Sequence, residues 1–200
     1  MDTELLIQYF KVIHRDLNKL EFKLGPKNRI YFPLFSSSIE HCMSIYVLNK
    51  QYLTSSMYAL VRPTIENYLR AMWVKYCNSD ISMDTDVSSM HFPKKVEYLI
   101  AEVDKNVPSF SKDSYLQNSL GPLVPNIHDF THGGIQSIAR QYKEGNMLSN
   151  LRNDSEIESI LNLTVLISSL AYAEIIQDNV GTEPLETQKV SDLATKIIGL

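Results

Sequence analysis

The sequence predicts an all-α protein, an antiparallel bundle of four or five long helices with short additional helices. Three observations carry that prediction. In Tyr52–Cys77, apolar and aromatic side chains recur every three or four residues, at Leu53, Met57, Leu60, Val61, Ile65, Tyr68, Leu69, Met72, Trp73 and Tyr76. That is the period of a helix with a broad buried face. The same period returns in Val124–Met147 through Ile127, Phe130, Ile135 and Ile138. Glu156–Asn179 is apolar on most sides, as a core helix is.

Taken in order, Thr3–Leu20 is the first expected helix, with Leu5, Leu6, Phe10, Ile13, Leu17 and Leu20 on one side and Thr3 as its candidate cap. Gly25-Pro26 ends it. Asn28–Phe35 reads as an irregular apolar segment around Pro33, since a strand there has no partner. Ser37 and Glu40 have the spacing of a capping box, so a second helix is expected from about Ser38 to Asn49. The pattern fits either a break at Asn49–Thr54 or one continuous helix with a kink at Pro63. Asn78–Met90 is a polar loop. Pro93 stands at the start of an expected helix Lys94–Lys105, and Tyr115–Leu120 is a short turn of helix. The expected helices Val124–Met147, Glu156–Asn179 and Pro184–Leu200 complete a count of six or seven.

Composition bounds the function. Two hundred residues fit one domain, 1–200, with room for a sizeable core. The formal net charge of −4 excludes long duplex nucleic acid as a non-specific partner. The two cysteines, Cys42 and Cys77, are too few for a disulfide framework and sit in apolar helical surroundings. The amino terminus has neither a basic n-region nor a small-residue cleavage site. The longest apolar stretch, Leu161–Ile176, is interrupted by Asn162, Thr164, Ser168, Ser169 and Glu174, so no membrane span is expected and cytoplasm is the default location.

Two polar stripes break the apolar pattern. Tyr58, Arg62, Glu66 and Arg70 follow one another at four-residue steps, which makes them neighbours along one helix face. His128, His132, Gln136 and Arg140 repeat that spacing, with Gly133-Gly134 leaving room beside His132. Neutral histidine removes a proton near pH 7 and arginine braces phosphate through two N–H groups. The candidate catalytic residues are therefore His132, Arg62, Glu66, Arg70 and His128, and the candidate ligand-binding residues are Tyr58, Asn126, Gln136 and Arg140. His128 and His132 have a zinc-like spacing, with Glu66 as a third ligand. However, the segment His-Asp-Phe-Thr-His lacks the zincin glutamate, and no Glu-x-x-His occurs for a di-iron bundle. No metal and no cofactor are predicted, and phosphate-loop, dinucleotide and serine-hydrolase patterns are absent. The same residues read equally as an Arg-Glu-His network that holds one packing arrangement and catalyses nothing.

These stripes carry a resemblance. Leu60-Val-Arg62-Pro-Thr-Ile-Glu66, Leu69-Arg70-Ala-Met-Trp73 and Phe130-Thr-His132-Gly-Gly resemble the motifs of an uncharacterised bacterial all-helical family, over roughly residues 38–178. More distantly the chain is similar to the HEPN superfamily of toxin and abortive-infection helical bundles. That likeness implies a two-fold homodimer with a polar groove at its interface and metal-independent RNA cleavage, with His132 in the motif histidine's place and Asn126 at the polar position. Pro125 stands where the motif's arginine belongs, so Arg62 or Arg70 would have to supply the cation from a facing helix. Two functions follow as expectations. One is an RNA-cleaving or RNA-binding protein of a defence or toxin system. The other is a non-catalytic helical scaffold or small-ligand-binding protein. The expected partners are a second copy of the chain and RNA.

Overall fold

A computed structural model describes residues 2–125, 142–143, 146–147 and 154–199. Eight α-helices stand among the described residues: α1 Thr3–Leu17, α2 Asn28–Lys50, α3 Thr54–Met72, α4 Val96–Asn106, α5 Pro108–Ser111, α6 Tyr115–Leu120, α7 Asp154–Ile176 and α8 Thr187–Ile198. The expected bundle of four or five long helices is corrected by that count. Four helices run to fifteen residues or more, and around them pack four shorter ones, two 3₁₀ turns and a π-helical turn. β1 Tyr142–Lys143 and β2 Asn146–Met147 form a two-residue antiparallel pair, Tyr142 opposite Met147. The helix expected to run from Val124 to Met147 therefore does not reach its predicted end.

Capping and burial explain where the helices begin. Asp2, not Thr3, caps α1: its Oδ1 accepts from the Glu4 N–H at 2.8 Å and the Leu5 N–H at 3.3 Å. α2 starts ten residues before the expected Ser38, running straight through Ser36–Ser38 and Pro33. Pro33 is exposed, whereas Ile30, Tyr31 and Phe35 on the opposite face are buried. The apolar face sets the structure and proline's missing donor lies on the outer side. Asn28 locks the turn before it: its Oδ1 accepts from the Gly25 N–H at 2.7 Å and its Nδ2 donates to the Lys23 carbonyl at 2.7 Å. Ser38, rather than capping, lies wholly buried and donates to the Thr64 carbonyl of α3 at 2.9 Å.

The break at 51–53 is real, so α2 and α3 are separate helices, joined where Tyr52 takes a left-handed φ of 59°. α2 is the central element, packed against both α3 and α7, while α1 and α7 hold α8. α4 packs on α3 and is backed by α5 and α6. One continuous core runs from Leu6 to Ala194 and includes Tyr9, Phe35, Met57, Ile65, Tyr68 and Met72 with almost no exposure. α7 is long and apolar enough to cross a membrane by length and composition. In this fold its polar residues are used internally: the Tyr9 hydroxyl of α1 lies 2.8 Å from Ser168 Oγ and 2.7 Å from Ser169 Oγ, and Tyr172 donates to the fully buried Asp16 at 2.6 Å.

Candidate functional site

The first predicted stripe forms as a ladder on α3. Arg62 Nε donates to Glu66 Oε1 at 2.6 Å and Arg70 Nη2 donates to Glu66 Oε2 at 2.8 Å. Each carboxylate oxygen thus takes one arginine, one helical turn to either side. The three side chains retain 19%, 14% and 29% exposure for Arg62, Glu66 and Arg70, so this is a half-sunk network and not a solvated face. Two of its donors, Arg62 Nη1 and Arg70 Nε, are buried without a hydrogen-bond partner among the described residues. Guanidinium N–H groups taken out of water and left unpaired are costly. Pro63 between them is accommodated without an open backbone site at the next residue: the Thr64 hydroxyl donates to the Leu60 carbonyl at 2.7 Å and its carbonyl receives Ser38.

Arg62 borders a cavity of about 310 Å³ whose other walls are Lys94, Lys95, Val96, Glu97, Val124 and Pro125. The two lysines arrive on the loop 78–95. That loop is pinned to α3 by Phe92, whose ring lies 5.7 Å from the Arg70 guanidinium and 6.4 Å from the Trp73 ring, edge to face. Its other end is held by Arg29, which donates to the Ser82 and Thr85 carbonyls at 3.1 and 2.6 Å. Three cationic side chains therefore share the cavity with one carboxylate, Glu97, in a chain that is acidic overall.

Tyr58, the first member of the stripe, is buried in the core and does not line this cavity. Asn126, His128, His132, Gln136 and Arg140 lie outside the described residues. Of the predicted site, the structure brings together Arg62, Glu66 and Arg70. Among the described residues, no three His, Cys, Asp or Glu side chains are grouped to hold a metal ion.

A second polar centre escaped the sequence reading. After Met72 the backbone widens into a π-helical turn, Trp73–Cys77, closed by the Asn78 N–H on the Trp73 carbonyl at 3.0 Å. From it Lys75 Nζ reaches the end of α7, 2.9 Å from both Glu174 Oε2 and the Glu174 carbonyl and 3.1 Å from Asp178 Oδ2. Its ammonium lies 5.4 Å from the Tyr31 ring and 5.6 Å from the Tyr76 ring. Two hydroxyls bond the same oxygens, Tyr76 donating to Glu174 Oε2 at 2.6 Å and Tyr31 to Asp178 Oδ2 at 2.7 Å. Burial, and then these carboxylates, push both phenols well above their ordinary range, so they remain donors. The signal for this centre was in the sequence as two charges in apolar surroundings, Lys75 between Val74 and Tyr76 and Glu174 among Ala171, Tyr172, Ala173 and Ile175.

The remaining polar contacts are structural. Asp16 accepts from the Glu186 N–H at 2.8 Å, and Arg15 pairs with Glu186 at the surface, so α1 fastens the loop that leads to α8. Burial, followed by Glu102, pushes the Cys77 thiol up to about 11, and burial raises fully buried Cys42 further still. Neither cysteine is a nucleophile at neutral pH.

No curated protein and no solved structure matches the chain. A family model does, over residues 35–191, a span that takes in the α3 ladder, the cavity and the Lys75 centre apart from Tyr31. The chain belongs to the all-helical family of unknown function DUF6988.

Proposed function

We propose that this protein is a non-catalytic helical scaffold that binds a small anionic ligand through Arg62, Lys94 and Lys95. The observation that carries this reading is the lining of the Arg62 cavity, where among the described residues three cationic side chains stand against one carboxylate. A pocket lined by a surplus of one charge favours a ligand of the opposite charge. Glu66 supports the reading from behind. It is shared with Arg70, so it orients the Arg62 guanidinium without neutralising it alone. The test is isothermal titration with sodium sulfate, a dianion at all working pH values. Binding lost in Arg62→Gln, with the melting temperature largely kept, supports the proposal; the absence of binding to the wild type overturns it.

The second reading is metal-independent RNA cleavage in the manner of the HEPN bundles, with His132 as base and Arg62 or Arg70 on the phosphate. Its support is the cationic wall together with Pro125, which lines the same cavity one residue before Asn126. Wild type and His132→Ala incubated with a mixed RNA pool in EDTA decide between the two. Cleavage lost in the variant would replace the scaffold reading; cleavage equal in both is contamination and rejects the role of His132.

A further inference from the structure

We infer that the ligand of the Arg62 cavity is a phosphate monoester of a small molecule, and not a carboxylate or a phosphodiester. This rests on the anion-binding reading above and deepens it.

The charge count sets the class. Among the described residues, Arg62, Lys94 and Lys95 line the cavity with one carboxylate, Glu97, which leaves an excess of two positive charges at its wall. Glu66 does not cancel this excess, because Arg70 on its far oxygen balances it at 2.8 Å. A phosphate monoester carries close to two negative charges at neutral pH, its second pKa lying near 6. A carboxylate or an RNA-type diester carries one and leaves the wall half neutralised. The donors match in number as well as charge. A terminal phosphate offers three acceptor oxygens, and the wall offers the Arg62 guanidinium and two exposed lysine side chains from another element. Arg62 is fixed by Glu66 at 2.6 Å and presents its donors without further ordering cost, which is what planar recognition of phosphate asks of an arginine. The rest of the lining is apolar, Val96, Val124 and Pro125, and about 310 Å³ accommodates a phosphate with a small organic group.

The experiment compares three probes of similar body by isothermal titration at pH 7.5: phenyl phosphate, methyl phenyl phosphate and benzoate. Phenyl phosphate is expected to bind at least tenfold more tightly than either monoanion. The double variant Lys94→Ala/Lys95→Ala, which touches only exposed side chains, should erase that preference while keeping the wild-type melting curve. Equal affinity for the three probes in a protein that binds sulfate overturns the monoester assignment and leaves the anion site standing. A preference retained in the double variant likewise overturns it, because the charge would then come from elsewhere. Binding of neither sulfate nor any of the three probes overturns both readings.

Discussion

Removing the charge of Lys75 tests whether the π-helical turn and the end of α7 are held by a true buried ion network. Its ammonium has three N–H groups, and the structure gives it three acceptors, at 2.9, 2.9 and 3.1 Å. Lys75→Met keeps the stem and deletes all three bonds. Lys75 and Glu174 are each only 12% exposed, so the abandoned Glu174 carboxylate cannot rehydrate freely and keeps only the Tyr76 hydroxyl. Breaking a fully buried pair costs about 3–5 kcal/mol. Asp178, at 34% exposure, recovers water, and its share is screened to well under about 1 kcal/mol. The expected loss is about 3 kcal/mol, or roughly 6–12 °C in melting temperature for a chain of this length. Urea unfolding of wild type, Lys75→Met, Glu174→Gln and the double variant measures it. The double variant should lie at least about 1 kcal/mol above the sum of the singles, since neutral Gln no longer strands a charge. A single-variant loss below about 1 kcal/mol, or strict additivity, would refute the network.

Four further outcomes follow. Glu66→Gln should cost about 1–2 kcal/mol, because both arginines lose a charged partner at partial exposure, and should weaken sulfate binding, because Arg62 is no longer held in place; unchanged sulfate binding would count against Arg62 as the ligand donor. Tyr68→Phe should raise stability by up to about 1 kcal/mol, since its hydroxyl is fully buried without a hydrogen-bond partner, and a clear loss in urea unfolding would show the hydroxyl to be used. Burial raises the phenols of Tyr9, Tyr68 and Tyr172, as it does those of Tyr31 and Tyr76, above the ordinary value of 10.0. Their contribution is complete below pH 10 and is lost as pH rises further, so the part of the tyrosinate absorbance at 295 nm that belongs to these five should appear together with unfolding and not ahead of it. The homodimer expectation is decided by sedimentation equilibrium, where a single species of 22.9 kDa rejects it; if two copies do pair, the apolar groove between α7 and α8, lined by Leu166, Leu170, Ala173, Val190 and Ile198, is where a disruptive Leu170→Asp should act.

What the sequence made legible was whatever depends on spacing within one helix. The step of four from Arg62 to Glu66 to Arg70 becomes two hydrogen bonds because residues four apart are neighbours on any α-helix, whatever surrounds it. The buried face of α3, from Met57 through Val61, Ile65 and Leu69 to Met72, came from the same rule. Rules of local chemistry misled where burial outweighed them. Pro33 and the serines at 36–38 have the marks of a break and a cap, yet the aromatic face of α2 gains more from continuous packing than the proline loses on its exposed side. The expected four or five long helices failed for a related reason: the chain between residues 96 and 120 is cut into three short helices, α4, α5 and α6, by turns whose caps are tertiary. Asp104 of α4, for instance, accepts from the Leu116 and Gln117 N–H groups at 2.9 and 2.8 Å and so starts α6 from outside.

The Lys75 centre was illegible for a deeper reason. Its members stand 99 and 103 positions apart along the chain, and no periodicity connects them. A lone lysine in an aromatic helix and a lone glutamate in an apolar one each look like an interruption. Together they imply one another, because neither can be buried without the other. The same logic, applied to the α3 ladder, separates the two centres by function. At Lys75 every ammonium hydrogen has an acceptor, and Glu174 Oε2 and Asp178 Oδ2 each take a tyrosine hydroxyl as well, so the cation is fully paired. At Arg62 the charges do not balance: among the described residues the cavity beside it carries three cationic side chains and one carboxylate. That difference is why the anion site is proposed on the Arg62 face, while the Lys75 centre is read as a structural lock.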